Sequence, residues 1–155
     1  MNKPVKTLRL LTLICGAALS LAGCTVGDPE ENLRQSQAYL ENNAKQPGVI
    51  TTASGLQYRV IKEGTGIKPA VTDNVTVDYR GSLVNGTEFD AGNGVSFPLD
   101  GVIPGWQEGV QLMKEGAEYE FTIPAELAYG AGGTGRAIGP NMALIFNVTL
   151  VKVNR

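Results

Sequence analysis

Few residues in this chain are equipped for covalent chemistry. It has 155 residues and no histidine, which excludes every His-dependent triad and every His-ligated metal site. Glu115, Glu118 and Glu120 lie close together in sequence and invite a reading as paired carboxylates for acid–base work. Glu118 and Glu120, however, take the polar positions of the alternating run Tyr119-Glu-Phe121-Thr-Ile123, so a solvated strand face is the better reading. Gly130-Ala-Gly132-Gly-Thr-Gly135 matches the glycine spacing of a dinucleotide-binding turn. Such a turn needs a strand before it and a helix after it. Here Pro124-Ala-Glu-Leu-Ala-Tyr129 precedes it and no helical pattern comes after, so it reads as a surface loop.

The aromatic residues are the more informative set. Tyr79, Phe89, Phe97, Trp106, Tyr129 and Phe146 are spread over the C-terminal two-thirds of the chain. Singly, each is a candidate core residue. The only tryptophan sits in Val102-Ile-Pro-Gly-Trp106-Gln-Glu-Gly-Val110-Gln-Leu-Met113. Trp106, Val110 and Met113 fall at i, i+4 and i+7, one face of a short helix. Lys114-Glu-Gly116 ends it, with glycine as the cap. A side chain as large as Trp anchors whatever it packs against.

Strand patterns surround that helix. Leu56-Gln-Tyr58-Arg-Val60 and Val75-Thr-Val77-Asp-Tyr79 alternate, and Asn85-Gly86 is a hairpin signal before Thr87-Glu-Phe89. A short segment lies around Phe97, and Tyr119 to Ile123 comes next. The last strand places Leu144, Phe146, Val148 and Leu150 on one face and Ala143, Ile145, Val151 and Val153 on the other. The pattern predicts an α+β fold, an antiparallel sheet of about five to six strands with one short helix on a face. Upstream, Asp28-Pro-Glu-Glu31 reads as a helix start, with Asp at the N-cap and Pro at the first helical position. That helix runs to Pro47-Gly48 with a thin apolar face of Leu33, Leu40 and Ala44 beside Tyr39. It is expected to be a spacer or a weak docking helix.

Residues 1–23 read as a secretory signal: Lys3, Lys6 and Arg9 precede an apolar run from Leu10 to Leu21. The run ends in Leu21-Ala-Gly-Cys24, which resembles the bacterial lipobox. The resemblance implies a lipid attached to Cys24 and a protein held to a membrane surface. In the lipoproteins it resembles, Asp after the cysteine favours the inner membrane; with Thr25 in that place, the resemblance implies the outer one. Removing the signal discards Cys15 and leaves ten basic side chains against fifteen acidic ones. With no basic patch, nucleic acid is not an expected partner.

Residues 49–155 resemble the FKBP-type peptidyl-prolyl cis–trans isomerases, the macrolide-binding immunophilins. The matching motifs are Val77-Asp-Tyr79-Arg-Gly81, Gly86-Thr-Glu-Phe89-Asp90, Val102-Ile-Pro-Gly-Trp106, Ile123-Pro-Ala-Glu-Leu-Ala-Tyr129-Gly130 and Pro140-Asn141 leading into Leu144-Ile-Phe146-Asn-Val148. The lead-in, residues 42–58, is similar to the exported bacterial branch, whose members often carry a longer N-terminal dimerisation region. Residues 24–48 form the anchored linker and short helix in this reading.

The resemblance implies a curved antiparallel sheet wrapped around one helix, with a pocket between them. Trp106 is its floor, and Tyr79, Phe97, Val102, Ile103 and Phe146 are its walls. Phe89, Asp90 and Tyr129 take the positions that meet the reactive bond, and Ile138 reaches over from the flap. It implies rotation about X-Pro bonds in proline-containing protein segments, with macrolides as inhibitors, and neither cofactor nor metal. The alternative is a catalytically weak chaperone or binding module of the same fold. Two departures stand out. The flap reads Ile138-Gly-Pro140 where relatives often have Ile-Pro-Pro, and Ala91-Gly-Asn-Gly94 after Asp90 lacks a basic neighbour.

Overall fold

A computed structural model of the protein describes residues 27–155. The signal segment and Cys24 lie outside the described residues. Helix α1 spans Pro29–Ala44, and the strands are β1 (Val49–Thr51), β2 (Gln57–Lys62), β3 (Asn74–Leu83), β4 (Glu88–Pro98), β5 (Glu118–Ile123) and β6 (Leu144–Asn154). Helix α2, Pro104–Val110, connects β4 to β5 after a single 3-10 turn at Leu99–Gly101. The strands form one sheet in the order β1-β2-β5-β6-β3-β4, and every neighbouring pair is antiparallel.

The core is the space between α2 and the sheet. Trp106, Val110 and Met113 are buried there against Val75, Val77, Phe121, Ile123, Phe146, Val148 and Leu150. Burying side chains of this size is worth about 1.5–3 kcal/mol each. The helix comes close to β5 because residue 105 has no side chain. A Cβ on Gly105 would lie 2.5 Å from Ile123 Cγ2, far inside van der Waals contact.

Four local readings are corrected by the structure. The helix stops at Val110, earlier than its apolar period suggests. Leu112 and Met113 donate instead to the carbonyls of Gly109 and Val110, tightening the exit while keeping Met113 buried. Thr87–Phe89 and the segment around Phe97 are not separate: Glu88 to Pro98 is one strand, β4, which continues through the Gly-rich stretch by shifting register against β3. Val153 faces the core with Leu150, because the β3–β6 register jumps from Thr76↔Lys152 to Val77↔Leu150. That bulge leaves Val151 as the extra, exposed residue and inverts the face of the residues after it.

The fourth correction concerns α1. Asp28 caps it by accepting the Glu30 N–H at 2.9 Å. Its buried residues are Asn32 and Ser36, whereas Leu33 is exposed. The helix therefore docks through a polar stripe. At its C-terminal half, Asn43 donates to Gln57 Oε1 at 2.8 Å and Thr122 Oγ1 at 3.1 Å, while Gln57 donates to the Leu40 carbonyl at 2.9 Å. Gln57 and Thr122 are buried, where unpaired polar groups would be costly. Hydrogen bonds replace the apolar seam that its composition lacks.

Candidate functional site

Between α2 and the sheet lies an open groove of about 420 Å³. Trp106, in the first turn of α2, forms its floor and is 5% exposed. Three rings meet the indole edge-on: Tyr79 from β3 at 5.4 Å between centroids, Phe97 from β4 at 5.5 Å and Phe146 from β6 at 5.3 Å. Phe89 joins through Phe146, at 5.5 Å and nearly perpendicular. Edge-to-face pairs of this kind add about 0.5–1.5 kcal/mol each beyond their buried area, so the floor is a stiff unit. Gly81 makes the room. A Cβ there would lie 2.7 Å from both Phe146 Cε1 and Phe89 Cζ.

Val102 and Ile103 line the groove where the chain enters α2. Ile103 is the N-cap and Pro104 the first helical residue, a position where proline's missing N–H costs nothing. Gln107 holds this entry by donating to the Val102 carbonyl at 2.8 Å. Among the described residues the Ile103 N–H has no protein acceptor, so it is available to a ligand at the groove's edge.

The polar groups sit at the rim. The Tyr79 hydroxyl donates to Asp90 Oδ2 at 2.8 Å. Burial, then the hydrogen bond to Asp90 and the negative charge of Asp90, push the Tyr79 phenol up to about 12. It therefore stays protonated and keeps one carboxylate oxygen of Asp90 oriented. Tyr129 also lines the groove, and it is one of the exposed large side chains.

Of the residues expected from the sequence, the groove gathers Tyr79, Phe89, Asp90, Phe97, Val102, Ile103, Trp106, Tyr129 and Phe146. Ile138 is not in its lining. It is 3% exposed and packed into the core, and its carbonyl accepts the Thr134 N–H at 2.8 Å. An isolated apolar side chain on a polar loop gains more from the core than from an open groove. Val95 and Gly101 line the groove unforeseen. Val95 escapes a reading by periodicity because the Gly-rich stretch divides the β4 pattern in two.

The competing constellations come apart. Glu115 accepts the Val153 N–H at 2.6 Å, and Glu120 pairs with Arg59 at 3.0 Å. Both are structural contacts to strand residues. The Gly130–Gly135 run comes after a 3-10 turn and leads into further turns. Among the described residues no three His, Cys, Asp or Glu side chains gather as metal ligands.

The fold and this aromatic groove define a class, and comparison with known proteins gives that class a name. Residues 65–151 match the family model of the FKBP-type peptidyl-prolyl cis-trans isomerase, and residues 26–60 match that of the domain amino-terminal to it. The chain belongs to the FKBP-type peptidyl-prolyl cis-trans isomerase family. It is 52% identical over 130 residues to a probable FKBP-type peptidyl-prolyl cis-trans isomerase FkpA of Neisseria meningitidis, covering 81% of this chain and 48% of the relative. It is 46% identical over 130 residues to the outer membrane protein MIP of Legionella longbeachae, covering 81% and 56%. The chain thus spans about half the length of these curated relatives. Among solved structures, a Pseudomonas syringae peptidyl-prolyl cis-trans isomerase superposes with a TM-score of 0.80 at 35% identity, covering 84% of this chain and 99% of the other.

The Tyr79–Asp90 pair has a measurable consequence. A phenol whose folded pKa is raised contributes stability that is complete below its free value near 10 and is lost as pH rises through about 12. In ultraviolet titration of phenolate absorbance, the amplitude that Tyr79→Phe removes should be centred near pH 12. A loss of amplitude centred near pH 10 would contradict the assignment.

Proposed function

We propose that the chain accelerates rotation about X-Pro peptide bonds in proline-containing protein segments, using the Trp106 groove. Family membership and the aromatic floor support this reading, and the floor carries it. The reaction breaks no covalent bond, so it needs no nucleophile, metal or cofactor. Its barrier, about 18–20 kcal/mol, is the resonance energy of the planar amide, and unassisted exchange takes roughly tens to hundreds of seconds.

The planar amide is more charge-separated than the twisted one. A groove walled by aromatic rings therefore disfavours the planar form relative to the transition state, which is differential binding. The proline ring rests on the Trp106 indole, enclosed by Tyr79, Phe97 and Phe146. The Ile103 N–H holds the carbonyl of the segment in register. Asp90, oriented by Tyr79, and the Tyr129 hydroxyl meet the amide as it twists, with Phe89 closing that side. Each tenfold gain in rate needs about 1.4 kcal/mol, a size that a few such contacts supply. A macrolide filling the same groove is expected to compete with the peptide.

The experiment is a cis–trans assay on a Leu-Pro peptide. The protein should raise the exchange rate above that in buffer, and Asp90→Ala and Tyr129→Phe should each lower kcat/KM about three- to tenfold without loss of fold. A folded wild type no faster than buffer would leave the chain a binding module for proline-containing segments.

We further propose that the chain works at the bacterial cell envelope, held at the outer membrane through a lipid on Cys24. The signal-like residues 1–23 and the lipobox-like Leu21–Cys24 support this, as does the name of the Legionella relative. Among the described residues no helix is long and apolar enough to cross a membrane. Mass spectrometry of protein recovered from cells should find acyl mass on the wild type and none on Cys24→Ser; its absence from the wild type would refute the anchor.

A further inference from the structure

Helix α1 meets the body of the domain at the base of the loop that carries Tyr129. Ser36, buried midway along α1, donates its hydroxyl to the Asn141 carbonyl at 2.9 Å and accepts the Ala143 N–H at 2.8 Å. One turn earlier, Asn32 donates to the Pro140 carbonyl at 3.0 Å. Asn141 answers with its own side-chain amide, which donates to the Pro29 carbonyl at 3.1 Å.

Asn141 is the non-glycine residue with positive φ among those described, at 58°. Asparagine tolerates this left-handed conformation better than most residues. Even so, it persists only where the surroundings over-determine it. Here all three polar parts of the residue are held. Ser36 holds its carbonyl, Pro29 receives its side chain, and its N–H donates to the Gly130 carbonyl at 2.9 Å. Gly130 directly follows Tyr129, and Ala143 directly precedes β6, which carries Phe146. One buried hydroxyl on α1 therefore ties together the backbone from which a rim residue and a wall residue of the groove depart. Neither Ser36 nor Asn141 lines the groove itself.

We propose that Ser36 and Asn141 are positioning residues for the groove. Docked through Ser36, α1 fixes Asn141, whose N–H fixes the Gly130 carbonyl and with it the place of Tyr129. The inference rests on the groove being the substrate site. It makes α1 part of the substrate-handling machinery rather than a spacer.

The test is a double-mutant cycle in the full chain, read as kcat/KM on a Leu-Pro peptide. Ser36→Ala and Asn141→Gly (which keeps the left-handed backbone) should each lower kcat/KM about three- to tenfold. Neither should lower it further in a Tyr129→Ala background. Asn43→Ala, which removes two of the three hydrogen bonds of the other anchor of α1 without touching residues 140–143, should stay within about twofold of the wild type. Equal losses with and without Tyr129, or unchanged kinetics in both single variants, would overturn the proposal; the glycine variant decides the matter if Ser36→Ala does not fold. A wild-type rate no different from buffer would sink the isomerase reading instead. The same cycle is then read in the Kd of the peptide, followed by Trp106 fluorescence, with the same two criteria.

Discussion

The structure depends on the burial of one indole in a gap between a two-turn helix and a sheet. Trp106 is 5% exposed on a helix of seven residues, so its own helix cannot cover it. The sheet has to supply the walls, and three strands do, each with an aromatic ring presented edge-on. Gly105 lets the helix sink onto β5, and Gly81 lets Phe89 and Phe146 meet. Register shifts in β3, β4 and β6 bend the sheet around this centre. These features serve one constraint: keeping an aromatic floor rigid while leaving a groove above it.

The groove also separates two kinds of interaction. Its floor is apolar, suited to a ring without donors or acceptors. Its rim holds the Tyr79–Asp90 hydrogen bond, the Tyr129 hydroxyl and the Ile103 N–H. Because burial and Asp90 hold the Tyr79 proton, the rim keeps one arrangement of donors and acceptors across the working pH range. The proposed reaction, which only rotates a bond, asks for this combination. It needs a dry seat for the part that stays still and oriented dipoles for the part that turns.

How much of this is legible in the residues depends on the kind of packing. Tyr79 and Phe146 sit in alternating strands and Trp106 on a helix face, where periodicity exposes them, while Phe89, Phe97 and Tyr129 are reached through the family resemblance. The motifs around them point to the family, and with it to the way the walls come together from β3, β4, α2 and β6. Bulges are hidden, because a single extra residue such as Val151 inverts the face of Val153 without any mark in composition. Family resemblance puts Ile138 at the groove; it is buried in the core cluster that also holds Trp106 and Phe146, outside the groove's lining. Helix α1 is the largest gap. Its apolar stripe is thin, and hydropathy gives no weight to Asn32, Ser36 and Asn43. Those three are its docking surface because their partners are backbone carbonyls and amides of residues 140–143 and the buried side chains of Gln57 and Thr122.

The central claim is that a proline ring is seated on Trp106 while its peptide bond turns. The most direct measurement is exchange NMR on a peptide with a single Leu-Pro bond, comparing catalytic amounts of the wild type and of Trp106→Leu. The wild type is predicted to give strong cis–trans exchange cross-peaks, and the folded Trp106→Leu protein should lose most of that acceleration. Undiminished exchange with folded Trp106→Leu would contradict it.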